Sequence, residues 1–241
     1  MNDILTVVVL SSIISLIGTM LGACMGLIIK KPSKTFLSGI MGFAGGLMLS
    51  IVVFDLIPES IEKWNFAETV IFSIIGMLII MLLDSFIQVD NVKINEGIKV
   101  ATLTALGLML HNLPEGIIMG FGFLGGKSLG IKLSVIIALH DIPEGMAVSA
   151  PLMVSNVKVS KIILYAFITA IPTAIGAWIG IFAGNISQVT LSACLAIASG
   201  IMLFVVCGEL IPQAIKMSKG KSSTFGMLIG LILGLIMINV L

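Results

Sequence analysis

Residues 108–122 read LMLHNLPEGIIMGFG, and residues 137–151 read IALHDIPEGMAVSAP. In both places the same pattern interrupts an apolar run: histidine, asparagine or aspartate, a hydrophobe, proline, glutamate, glycine. One such interruption could be an accident, but two need a physical reason. His111 and Glu115 are four positions apart, as are His140 and Glu144. On a helix that spacing puts both side chains of a pair on one face, with Cβ atoms about 5–6 Å apart. Pro114 and Pro143 lack an N–H and clash with the preceding turn, so each is expected to break its helix and leave a carbonyl unpaired, at Leu110 and Leu139. Irregular backbone within a membrane is tolerated where it lines a cavity. Gly116 and Gly145 are expected to let the two bent helices approach closely.

The rest of the chain says that the surroundings are a bilayer. Of 241 residues, 58% are hydrophobic and 10% charged, with a mean hydropathy of +1.21. A soluble domain carries about 25% charged residues, so this chain has too little polar surface to cover a globule in water. Eight apolar segments stand out, at 4–29, 36–60, 66–89, 99–124, 128–155, 160–184, 188–217 and 223–241. Each is long enough to cross about 30 Å of hydrocarbon as a helix. None alternates strictly between apolar and polar residues, which argues against strands. The expected fold is an all-α integral membrane protein of eight transmembrane helices, forming a single domain over 1–241.

Charge and cysteine usage exclude other classes. Net charge is +1 and every basic residue is lysine, so no nucleic-acid partner is implied and no bidentate phosphate reader is present. Cys24, Cys194 and Cys207 lie inside apolar runs without metal-binding spacing and read as small hydrophobes. The opening MNDILTVVVL reads as a first span rather than a cleaved leader. The stretch GFLGGKSLG resembles a phosphate-binding loop, but Phe121 stands where its first glycine belongs, which argues against an ATP-driven pump.

Lysine placement orients the spans. Lys30, Lys31, Lys34, Lys93, Lys99, Lys158, Lys161, Lys216, Lys219 and Lys221 follow odd-numbered spans, whereas Lys63, Lys127 and Lys132 lie at the opposite side. The positive-inside rule puts the first group in the cytoplasm and both termini outside, in a multi-pass plasma-membrane protein. Internal pairs suggest an inverted repeat. HNLPEG in span four answers HDIPEG in span five. VVFDLIPESIEK in span two answers VVCGELIPQAIK in span seven. Gly18, Gly22 and Gly26 in span one resemble Gly226, Gly230 and Gly234 in span eight, a pairing of one with eight. In block form, helices 1–3 correspond to 6–8 and helix 4 to 5. In transporters such repeats place the substrate near the midplane.

An ionisable group at bilayer depth costs roughly 2.5–3.5 kcal/mol on insertion scales. His111, Asn112, Glu115, His140, Asp141 and Glu144 together would be prohibitive facing lipid. A divalent cation offsets the cost, and imidazole with carboxylate is a zinc-type donor set. A polar cluster that only locks two helices together explains a doubled H-[ND]-x-P-E-G poorly.

With its two motifs, eight spans and short loops, the chain resembles the bacterial branch of the ZIP family of divalent-metal transporters. The resemblance implies a metal site, often binuclear, between spans four and five, with those same six residues at the family's metal-binding positions. It implies import to the cytoplasm and a homodimer; as to the metal, two histidines suit zinc, while Asp141, Asn112 and the glutamates also suit iron(II), manganese and cadmium. Two departures stand out. Thr173 in AIPTAIGA occupies the place of a span-six glutamate that helps a second metal, and the loop between spans three and four has no histidine.

Asp55 and Glu59 in span two, and Glu209 in span seven, are expected to form the outer and inner approaches to the site. The alternative for them is snorkelling to an interface. Gln213 matches Glu59 and leaves the inner approach less charged. Metal binding needs neutral imidazole and ionised carboxylate, so it should release protons and weaken in acid. The rivals are a metal-selective channel of the same architecture and an intramembrane metalloenzyme. The latter wants H-E-x-x-H on one helix, which this sequence lacks.

Overall fold

The computed structural model describes residues 2–28, 33–89, 96–183, 187–218 and 220–240. Some side chains within its helices, those of His111 and His140 among them, lie outside what it describes. Among the described residues, ten α-helices and two π-helical turns follow one another. They are α1 (Asn2–Ile28), α2 (Lys34–Ile51), π1 (Val52–Leu56), α3 (Ile57–Lys63), α4 (Phe66–Val89), α5 (Glu96–Gly125), α6 (Lys127–Val154), α7 (Val159–Ala183), α8 (Gln188–Phe204), π2 (Val205–Leu210), α9 (Ile211–Met217) and α10 (Ser222–Val240). Among the described residues there is no strand. Each expected segment coincides with one helix or, for the second and seventh, with two helices joined by a π turn. Among the described residues, six stretches are long and apolar enough to cross a membrane: Val8–Met25, Lys34–Lys63, Leu133–Met153, Val159–Phe182, Ser192–Met217 and Ser222–Asn239. Phe66–Leu82 is a shorter apolar helix. Ile, Leu and Phe side chains lie exposed along α1, α4, α7 and α10. That surface suits lipid, where every backbone group is satisfied within its own helix.

The π turns have a local cause. Pro58 and Pro212 cannot donate to the carbonyl four residues back. The chain widens just before each: Ile57 N–H donates to Val52 O and Ile211 N–H to Val206 O, five residues back. Pro172 lies inside α7, which continues past it. Likewise α5 and α6 run on through Pro114 and Pro143. The expected breaks there are thus single lost donors within continuous helices, not interruptions. Side-chain caps close two helix starts in the same way, Ser33 accepting from Phe36 N–H and Ser187 from Thr190 N–H.

The helices sort into two groups. α1, α5, α6 and α7 pack on one another, with α5 against α7, α1 against α6, and α5 against α6. α10 packs on α2, and α4 on α8. The groups meet where α2 touches α6 and α5 touches α8, and the main apolar core lies there, around Met48, Val52, Leu108, Val148, Met202 and Val205.

Glycine makes these contacts close. A Cβ on Gly22 would overlap the carbonyl oxygen of Ile142 in α6, and one on Gly176 that of Leu113 in α5. Gly46 meets Met227 O as Gly200 meets Ser73 O, and Gly230 meets Phe43 O as Gly76 meets Ile197 O. This arrangement corrects the pairing of span one with span eight. Gly18 and Gly22 face α6, whereas Gly226 and Gly230 face α2. If two exchanged with seven and four with five, a one-with-eight exchange would need α10 on α5 or α1 on α8, and neither is a main contact. What Gly26 packs against lies outside what is described. Small-xxx-small spacing marks close packing and carries no information about which helix is the partner.

Candidate metal centre

The centre begins with a hairpin. Gly126 joins α5 to α6 with φ 140°, a backbone region that only glycine enters without strain. The two helices run antiparallel from it and pack together. Near the turn their backbones come close, with Gly122 against Gly130. Farther along, the motif glycines do something other than expected. A Cβ on Gly116 would overlap Thr173 O of α7, and one on Gly145 would overlap Thr19 O of α1. They draw each motif helix against its outer neighbour, not against the other motif helix.

Four of the six expected ligands have described side chains, and all four are buried. Asn112 is 1% exposed, Glu115 3%, Asp141 0% and Glu144 1%. Carboxylates are almost never so buried without a compensating partner. Asn112 Nδ2 donates to Thr169 O at 2.8 Å. That bond fixes the amide, and its Oδ1 is buried with no hydrogen-bond partner among the described residues. Asp141 Oδ2 accepts a short hydrogen bond from the Ser15 hydroxyl. The hydroxyls of Thr19 and Thr173, whose carbonyls meet the motif glycines, are also buried without a hydrogen-bond partner among the described residues.

His111 lies on α5 and His140 on α6; their side chains are outside the described ones. Among the described residues, no three His, Cys, Asp or Glu side chains stand close enough to hold a metal ion. What those residues do supply is an oxygen-rich, water-excluded set on two facing helices: three carboxylates and an amide oxygen. Such oxygens are hard acceptors suited to divalent cations, and imidazole shifts the preference toward zinc.

Asp55 and Glu209 occupy the two π turns and are partly buried. Glu59 follows one turn later in α3, about a third exposed, and pairs with Lys63. Gln213 is buried in α9. Three features escaped the sequence reading. The π turns could have been found from a proline placed three residues after Asp55 and Glu209. Ser15 belongs to a hydroxyl stripe, Ser11, Ser15 and Thr19, all buried on one face of α1. Thr169 acts through its carbonyl, which leaves no side-chain signal.

Comparison with known proteins settles the family. The model described as ZIP Zinc transporter matches residues 88–241, which include both motifs. The chain belongs to the ZIP zinc transporter family. A protein named Zinc transporter ZupT from Clostridium perfringens (strain 13 / Type A) is 30% identical, covering 96% of this chain and 94% of its own. A ZupT from Stenotrophomonas maltophilia (strain R551-3) is 26% identical over 89% of this chain and 88% of its own. One from Escherichia coli O7:K1 (strain IAI39 / ExPEC) is 29% identical over 88% of each. As a ZIP member the chain is a multi-pass membrane transporter of divalent metal and not an enzyme.

Proposed function

We propose that this ZIP protein carries zinc into the cytoplasm through a site held between α5 and α6 by His111, Asn112, Glu115, His140, Asp141 and Glu144. The observation that carries this reading is the burial of Asn112, Glu115, Asp141 and Glu144, each at most 3% exposed, on two packed helices of a membrane protein. Four polar groups held out of water at one helix pair carry a desolvation cost that a bound divalent cation can offset. The names of the relatives, each a zinc transporter, support zinc as the substrate. Iron(II), manganese and cadmium fit the same donors less selectively.

The reading includes eight spans arranged as an inverted repeat, one with six, two with seven, three with eight and four with five. Recurrent intervals support it. The interval from Gly22 to Gly176 also separates Gly46 from Gly200, Gly76 from Gly230, Thr19 from Thr173, Ser33 from Ser187 and Asp55 from Glu209. The close contacts of Gly22, Gly46 and Gly76 and the cap at Ser33 recur at Gly176, Gly200, Gly230 and Ser187. Both termini then lie outside, and Asp55 with Glu59 forms the outer approach and Glu209 the inner one. A homodimer in the plasma membrane completes the reading, as the family resemblance implies.

For alternating access, the group α1, α5, α6 and α7 moves as a body against α2, α4, α8 and α10. Rocking of one repeat on the other would have to separate Gly145 from Thr19 and Gly116 from Thr173, backbone contacts with no room for a Cβ. Sliding between the groups disturbs the α2–α6 and α5–α8 contacts instead.

Zinc uptake into liposomes reconstituted with purified protein tests the function. Uptake should saturate with zinc, fall when iron(II), manganese or cadmium competes, and drop in His111→Ala and Glu144→Ala by more than the roughly tenfold that losing an outer partner costs. Unchanged uptake in both variants would overturn the site.

A further inference from the structure

Asp141 and Asn112 hold matching places in the two motifs, yet their outer partners differ in kind. Asn112 gives an N–H to the backbone carbonyl of Thr169 in α7. Asp141, which has no N–H to give, accepts from the hydroxyl of Ser15 in α1. Ser15 and Thr169 are separated by the same interval that relates Thr19 to Thr173, so one position on each flanking helix holds one motif residue. The Thr169 hydroxyl is used within its own helix, donating to Ala166 O at 2.8 Å. The Ser15 hydroxyl instead crosses to α6. Each contact is thus matched to the chemistry it serves: a carbonyl for an amide donor, a hydroxyl for an acceptor-only carboxylate.

We propose that Ser15 is a positioning residue for the transported cation, holding the Asp141 carboxylate at the orientation in which it faces the ion. This rests on the reading of α5 and α6 as the cation site. Ser15 is 1% exposed and Asp141 0%, so water cannot replace the hydroxyl if it is lost. A hydrogen bond to a charged group in such surroundings is worth more than a neutral one. It also restricts rotation of the carboxylate, so the ion meets a preformed ligand rather than one it must order. Because α1 and α6 pack together through Gly145 and Thr19 as well, the bond keeps its geometry wherever that helix pair moves.

The test is a double-mutant cycle on Ser15 and Asp141. Zinc binding to purified protein in detergent is measured by calorimetry, and uptake is measured in liposomes. Ser15→Ala should raise Kd and KM for zinc about tenfold while leaving the maximal rate within about twofold, a split that a purely structural role would not give. In an Asp141→Asn background the same change should add less than about twofold, because the charge that Ser15 serves is gone. Should the alanine variant not fold, Ser15→Cys keeps the volume with a weaker donor and should give a smaller rise in both constants. Equal effects of Ser15→Ala in both backgrounds would overturn the proposal. So would unmoved constants in Ser15→Ala, or in Ser15→Cys where that variant stands in, when Asp141→Asn alone weakens binding. If Asp141→Asn and His111→Ala both bind zinc like the wild type, it is the site itself that fails.

Discussion

Gly116 in α5 lies directly against the carbonyl of Thr173 in α7, with no room for a Cβ between them. Gly145 and Thr19 stand in the same relation between α6 and α1. The obstructing atoms are backbone, which cannot swing aside as a side chain would. Gly116→Ala and Gly145→Ala should therefore each destabilise by about 1–3 kcal/mol through overpacking, seen as a lower melting temperature of the detergent-purified protein. At Gly39 the nearest atom to an added Cβ is Ser222 O at 3.8 Å, and Gly39→Ala should melt like the wild type. Equal melting of all three variants would contradict the packing described.

Pro58 and Pro212 create the π turns that carry Asp55 and Glu209. Replacing either with alanine restores an N–H that can donate four residues back and close an ordinary α-helical turn. The turn then loses its extra residue, and the acid on it rotates away from its present direction. Pro58→Ala should lower zinc uptake with no loss of melting temperature, since proline in a helix interior is itself unfavourable by about 3 kcal/mol. Uptake at the wild-type rate would show that the π turn does not serve transport.

Asp55 and Glu59 are unequal candidates for drawing in a cation by position: Asp55 sits partly buried on the π turn, whereas Glu59 lies one turn farther on, in α3, and is salt-bridged to Lys63. Asp55→Asn should raise the KM for zinc, by about tenfold at low salt if it focuses the local field, and by less as salt screens it. Glu59→Gln should have a smaller effect. A larger effect at Glu59 would give the entry role to Glu59 in place of Asp55.

Zinc has to find its histidines neutral and its carboxylates ionised, so binding displaces whatever protons they hold. Titrating weakly buffered protein with zinc should acidify the solution, and zinc affinity should fall as pH is lowered from neutral toward 5. In a variant lacking both histidines and both motif glutamates, the release should vanish. Release that persists there would place the titrating groups elsewhere.

The fold was legible in the sequence because a bilayer imposes one strong rule: long apolar runs become helices. Among the described residues the eight expected segments are helical, six of them with a stretch long and apolar enough to cross a membrane, and both motifs lie on packed neighbours. Burial of Asn112, Glu115, Asp141 and Glu144 also followed, since polar and acidic groups in apolar runs must turn inward. The partner of each helix was less legible. Gly18 and Gly226 carry the same small-residue signal, yet one meets α6 and the other α2; a glycine offers no side chain to specify its neighbour. Pro114 and Pro143 were expected to break their helices and do not, because the tertiary contacts of α5 and α6 hold the backbone across one missing donor. Ser15 was overlooked because a serine in a membrane helix commonly bonds its own backbone, as Ser199 does to Leu195 O. Only the packing of α1 on α6 shows that it reaches Asp141.

Zinc K-edge absorption on the zinc-loaded protein tests the central claim most directly, because it reads the atoms around the ion. The account predicts a shell of nitrogen and oxygen at about 2.0–2.2 Å with imidazole scattering, and loss of that scattering when His111 and His140 are both replaced by alanine. A shell of sulfur at about 2.3 Å, or a spectrum unchanged by the double replacement, would contradict it.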